Sequence, residues 1–143
     1  MFSLLNKYFD MISLKPSQNQ QEFWENLHKN HGDLAHEIES AMKERKERNL
    51  DEIYELKNKS LELGIDVARF NADFYQKFCT WFALNGYQNP ERILDIGCDN
   101  GILTCFYAYM YPEAEVIGID KSEAGLRCAI ELAKRLELSN VQF

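Results

Sequence analysis

The residues best suited to chemistry in this chain lie in two short stretches, Asp95-Ile-Gly-Cys-Asp-Asn-Gly101 and Asp120-Lys121. Glycine at 97 and 101 permits backbone angles that side chains resist and lets a ligand come close to the peptide amides. If such a turn leaves a strand and opens a helix, the free amides at the helix N-terminus suit a nucleotide-like ligand. Asp120 follows Gly101 by 19 positions. There a carboxylate can accept hydrogen bonds from both hydroxyls of a ribose. Cys98, inside the turn, offers a thiol that could act as a nucleophile, but a small residue that packs and exposes its backbone is the favoured reading.

The elements that would hold these residues can be read on either side of them. Arg92-Ile-Leu-Asp-Ile-Gly97 and Glu115-Val-Ile-Gly-Ile-Asp120 have the pattern of short buried strands. Residues 101–111 between them suit a helix ended by Tyr111-Pro112. Ser122 is the expected N-cap of a second helix, with Ala124, Leu126, Ala129, Ile130, Ala133 and Leu136 on one face and an end near Leu138. Asn140-Val-Gln-Phe143 then starts a third strand. The order β-α-β-α-β predicts a parallel sheet with right-handed crossovers.

Before Glu91 no strand pattern occurs, and four or five helices are expected, punctuated near Lys15-Pro16-Ser17, Gly32, Asn49 and Gly64. The best of them spans Asp66 to Leu84, where Val67, Phe70, Phe74, Phe78, Trp81 and Phe82 form a stripe read as core rather than as an acceptor pocket. A more polar helix over Leu34 to Arg48 ends in the mixed-sign run Lys43 to Arg48, read as a solvated face. His28, His31 and His36 are close in sequence, but Gly32 interrupts them and no cysteine or carboxylate completes a usual set, so no metal is expected.

Composition bounds the partners. The chain has 143 residues, 45% hydrophobic and 13% aromatic, enough for one core of ordinary size. A net charge of -7 disfavours nucleic acid as a partner. The start, MFSLLNKYFDMISL, is interrupted by Lys7 and Asp10 and fits a signal peptide poorly, and no run is long enough to span a membrane. Cys79, Cys98, Cys105 and Cys128 form no C-x-x-C pair and read as reduced thiols of a cytoplasmic protein.

I-L-D-I-G-C-D-N-G followed by V-I-G-I-D-K-S resembles motif I and the following acidic position of class I, Rossmann-like, S-adenosylmethionine-dependent methyltransferases. The family pattern, an acidic residue and then G-x-G-x-G, is met by Asp95, Gly97 and Gly101, with Asp99 at the middle glycine. The resemblance implies that Gly97 and Gly101 line the methionine and sugar, with Cys98 and Asp99 in the same loop. It further implies that Asp95 orients that loop near the amino group, that Asp120 holds the ribose and that Lys121 borders the adenine. The fold so implied is α/β: residues 1–88 form a helical segment, and residues 89–143 the first three strands of a Rossmann-like sheet, as a fragment of the methyltransferase domain.

S-adenosylmethionine is the expected cofactor, with S-adenosylhomocysteine as product and an unassigned methyl acceptor. A dinucleotide-binding oxidoreductase would want glycine at 97, 99 and 102, and Asp99 would repel a pyrophosphate, whereas a sulfonium and an ammonium tolerate it. A third reading is a helical interaction module with a degenerate nucleotide fold, which gains if the Asp99 side chain fills the donor pocket. The reaction centre itself is expected outside the chain, leaving the fragment inactive alone. The first strand would then present an unpaired apolar edge through Ile93, Leu94 and Ile96, to be covered by the N-terminal helices or by self-association.

Overall fold

The computed structural model describes residues 2–15, 19–44, 50–86 and 88–143. Three strands, β1 (Arg92–Ile96), β2 (Glu115–Ile119) and β3 (Val141–Gln142), form a parallel sheet in the order β1-β2-β3. Ile93 pairs with Val116, and Val116 with Val141. The crossovers are α7 (Ile102–Met110) and α8 (Glu123–Arg135). Because the strand order advances in one direction, right-handed crossovers put both helices on the same face. Ile93, Val116 and Val141 join the core on that side. The other face is bare: Leu94 is 59% exposed, Ile96 75% and Ile119 46%.

Local chemistry explains α8. The Ser122 side chain accepts from the Gly125 N–H at 3.1 Å, the expected N-cap. Ala124, Cys128, Ala129, Leu132 and Ala133 line its buried stripe. The helix ends at Arg135, three residues before the expected Leu138, and Glu137 takes a positive φ in the turn that follows. In that turn the Asn140 amide donates to the carbonyls of Ala108, Tyr111 and Ala114 at 3.0–3.2 Å, fastening β3 to the end of α7.

The N-terminal segment supplies a further helical layer: α1 (Phe2–Met11), α2 (Gln20–His31), α3 (Asp33–Lys43), α4 (Leu50–Lys57), α5 (Leu61–Ala68) and α6 (Ala72–Asn85). It packs chiefly on α7 and α8. Tyr8 of α1 is fully buried, meets Phe106 edge to face, and donates its hydroxyl to the Ile102 carbonyl at the first residue of α7. Phe82 of α6 contacts Tyr107 at 4.8 Å between ring centres. Helical segment and sheet therefore share one apolar core, while Phe23, Leu27, Ala35, Ile38, Leu56 and Leu63 form a second, smaller core among α2 to α5.

Several expectations change. The helix read from Asp66 to Leu84 is two, because Arg69–Asn71 form a 3-10 turn between α5 and α6. That turn breaks the phase of the aromatic stripe: Phe70, Phe74 and Trp81 are 43%, 59% and 58% exposed, whereas Phe78 and Phe82 pack against the core. Gly64 lies inside α5 rather than at a break. Gly32, with φ +53°, does separate α2 from α3. Among the described residues β1 pairs with β2 alone. The polar helix after Leu34 is α3, and the end of its charged run, residues 45–48, lies outside the described residues.

All four thiols are buried and free. Burial pushes Cys79, Cys98 and Cys105 up to about 12 and Cys128 to about 11, so each is protonated at neutral pH. A thiol whose pKa is raised by folding stabilises the native state fully below the unfolded thiol's pKa and ceases to do so as pH rises through the folded value. Stability should therefore fall above about pH 9. Denaturant titrations across pH 7–11 check the slope. Thiol-reactive dye at neutral pH should label the native chain slowly and all four cysteines after unfolding.

Candidate functional site

The turn after β1 is shaped by two backbone bonds to the end of β2: Gly97 N–H and Cys98 N–H both donate to the Ile119 carbonyl, at 2.8 and 3.1 Å. Gly97, Asp99 and Gly101 all have positive φ, of +81°, +50° and +76°. The turn then closes through Gly101 N–H to the Cys98 carbonyl, and α7 begins. Above it opens a cavity of about 920 Å³. Asp95, Gly97, Cys98, Asp99, Asp120 and Lys121 all line it. Gly101 does not stand in that wall: a Cβ there would come 2.6 Å from the Ala129 Cβ, so its glycine is demanded by the packing of α8.

Asp120 closes the strand end. One carboxylate oxygen accepts from the Asp99 N–H and the other from the Ser122 N–H, each at 2.8 Å. A carboxylate oxygen has more than one lone-pair direction, so both retain capacity for a ligand's hydroxyls. Asp95 is held by the Thr104 hydroxyl at 2.6 Å. Cys98 is a thiol rather than a thiolate, raised to about 12 by burial and by the neighbouring Asp95 and Asp120 carboxylates. Its backbone, not its sulfur, is what the turn offers. A Cβ added at Gly97 would meet nothing within 4 Å, so that glycine faces open space in the cavity.

The helical segment adds to the cavity wall; from sequence alone it could cap the donor site, bind the acceptor or form a dimer interface. Helix α4 lies over the cavity and contributes Leu50, Asp51, Tyr54 and Glu55 to its lining, and α6 contributes Tyr75. Four contacts fix α4 there. Lys57 forms an ion pair with Asp99, and the Asn58 amide donates to the other Asp99 oxygen at 2.6 Å. The Ser122 hydroxyl donates to Glu55 at 2.8 Å, and Lys121 meets Asp51 at 2.6 Å, which holds the lysine above its usual pKa. The one hint in the sequence was Asp99 itself, a charge at a position normally left to glycine and so in need of a partner.

The Asp99 carboxylate is thus drawn toward Lys57 and Asn58, both in or just after α4. The non-binding reading gains if that side chain fills the pocket, whose wall includes Asp99. Lys57 and Asp99 are 15% and 18% exposed, so their pair is only partly screened. Lys57→Ala should cost about 2 kcal/mol, because removing one partner leaves a half-buried charge uncompensated. In a denaturant double-mutant cycle with Asp99→Ala, the two losses should fail to add.

The three histidines divide. His31 pairs with Asp66 at 2.7 Å, whereas His28 and His36 stack 4.0 Å apart between ring centres, beside Glu39. The carboxylate judged absent from that set is therefore Glu39.

A parallel sheet with a glycine turn at the end of its first strand and an acidic residue at the end of its second is a partial Rossmann-like α/β fold. Comparison with known proteins narrows this: residues 88–143 match the family described as "Methyltransferase domain". The chain is 40% identical over 73 residues to the uncharacterized phycocyanin operon protein W of Pseudanabaena tenuis, covering 48% of this chain and 63% of that protein. It is 33% identical over 89 residues to an uncharacterized methyltransferase of Schizosaccharomyces pombe, covering 56% and 32%. It is 43% identical over 56 residues to the trans-aconitate 2-methyltransferase of Pseudomonas paraeruginosa, covering 38% and 20%. Residues 88–143 are thus similar in sequence to a methyltransferase domain. The matched regions span from a fifth to under two thirds of these relatives' own lengths.

Proposed function

We propose that this chain belongs to a protein that transfers a methyl group from S-adenosylmethionine, and that it forms the donor-binding half of the site. The arrangement of Asp120 carries the reading, with both oxygens braced by backbone N–H groups and still able to accept from a ribose. The residues present suit the donor in charge as well as shape. Asp95 and Glu55 face the cavity. These carboxylates favour a ligand bearing a sulfonium and an ammonium, and oppose a pyrophosphate. Gly97 leaves the space a ligand needs at the turn.

When bound, the donor supplies a methyl carbon activated by its sulfonium for in-line displacement by the acceptor. This chain's part is to hold and orient. Asp120 binds the ribose, the turn of 95–101 presents its amides, Lys121 and Asp51 border the adenine end, and Tyr54 and Tyr75 wall off solvent. Such orientation supplies much of the rate of a two-substrate reaction. The reading assigns this chain donor binding and no acceptor-positioning group, so donor binding is the activity to measure. The four protonated, buried thiols fit a reducing compartment such as the cytoplasm. Among the described residues no helix is long and apolar enough to cross a membrane.

Calorimetric titration of S-adenosylhomocysteine and, separately, NADH into the chain tests the reading. Saturable binding of the first and none of the second is expected, and preference for NADH or silence toward both would overturn it. Self-association through the free β1 edge belongs to the same proposal, since Leu94 and Ile96 stand bare beside unpaired backbone groups. Sedimentation velocity should show concentration-dependent dimers that Ile96→Lys reduces; a strict monomer at all concentrations would count against it.

A further inference from the structure

Away from the donor cavity, the α2–α3 hairpin brings together two imidazoles and a carboxylate. His28 lies in the last turn of α2, and His36 and Glu39 are one turn apart on α3. One ligand atom from each falls within 4.8 Å of the other two. The sharp turn at Gly32 makes this possible, folding α3 back along α2 so that rings eight positions apart in sequence lie 4.0 Å apart, tilted by 36°. We propose that His28, His36 and Glu39 form a binding site for a divalent transition metal of the zinc class.

The polar accounting of the hairpin supports this. The Nε2 atom of His28 is buried and makes no directional hydrogen bond, although Glu39 Oε2 stands only 2.7 Å away. An ion entering here would separate this pair by a few tenths of an ångström and take both atoms as ligands. A metal would give the buried nitrogen a ligand bond in place of this contact. The Lys43 ammonium takes the other Glu39 oxygen at 2.6 Å. Lys43 is 71% exposed and free to swing away. Two imidazoles and one carboxylate are the donors that zinc-class ions favour over calcium or magnesium. His36 is exposed, so the fourth position opens to water.

Such an ion would pin the hairpin that carries Phe23, Leu27, Ala35 and Ile38, the greater part of the smaller core. It does not depend on the donor-site reading, and His31, committed to Asp66, takes no part.

The test is titration of the chelator-treated chain with cobalt(II), followed by its visible ligand-field bands and by thermal denaturation. One ion per chain should bind, be displaced by zinc(II), and raise the melting temperature. Glu39→Gln and the exposed-site change His36→Ala should each weaken cobalt binding at least tenfold, as loss of a ligand or its support does. Both should leave the far-ultraviolet circular dichroism and the S-adenosylhomocysteine titration unchanged. Lys43→Ala should tighten binding by removing a competing cation, a result that a mere His–Glu–Lys ion-pair cluster would not give. Cobalt binding weaker than millimolar, or indifferent to His36→Ala and Glu39→Gln, would overturn the site.

Discussion

Asp120→Ala is expected to weaken S-adenosylhomocysteine binding about a hundredfold. Two hydrogen bonds to a charged acceptor contribute roughly 1.5–3 kcal/mol each, and the lower end of that range already gives about two decades in affinity. The carboxylate also braces the site, accepting from Asp99 N–H and Ser122 N–H. Alanine would orphan both donors and loosen the turn. Asp120→Asn keeps one oxygen and the size of the side chain, so its loss should be nearer tenfold. Calorimetry of both variants separates charge from shape. Equal affinities for wild type and Asp120→Ala would remove this residue from the ribose.

The second large effect separates two glycines that look alike in sequence. Gly101→Ala should destabilise the fold by about 3 kcal/mol, from the strain of a left-handed backbone and the overpacking of a core contact. The new Cβ would stand 2.6 Å from the Ala129 Cβ and 2.9 Å from its Cα, and neither backbone can yield. Gly97→Ala carries backbone strain of about 1–2 kcal/mol, with no collision in the unliganded chain. Its main loss should be of donor binding. Urea denaturation and ligand titration of the pair should thus rank them in opposite orders; a stability loss at 97 as large as at 101 would refute the assignment of 97 to the ligand.

That contrast shows where sequence reading ends. The strand–turn–helix of 92–110 and the cap at Ser122 were legible because their signals are local: short apolar runs, glycines at a turn, a hydroxyl before a helix. The roles of Gly97 and Gly101 were not, since both call for positive φ and only the position of Ala129, far along the chain, divides them. Helix α4 was invisible as part of the site for a similar reason. Leu50–Lys57 is short and polar, and nothing in its spacing announces that Tyr54 and Glu55 face a cavity some forty residues downstream. The aromatic stripe misled because a single 3-10 turn at Arg69–Asn71 was enough to turn Phe74 and Trp81 out to solvent. The same long-range placement hid Glu39, which becomes a partner of His28 only once Gly32 reverses the chain.

The tie from Lys57 and Asn58 to Asp99 bears on how freely the two halves of this chain can be exchanged. A helical segment from another protein, joined at residue 88, would bring its own side chains over the turn, and without a lysine or amide at the right place Asp99 would turn into the cavity as an uncompensated charge. Conversely, restoring glycine at 99 would strand Lys57 against Tyr54, over whose ring it sits 4.4 Å from the centre. The segment and the turn are matched parts, and chimaeras will keep the site only when positions 57, 58 and 99 travel together.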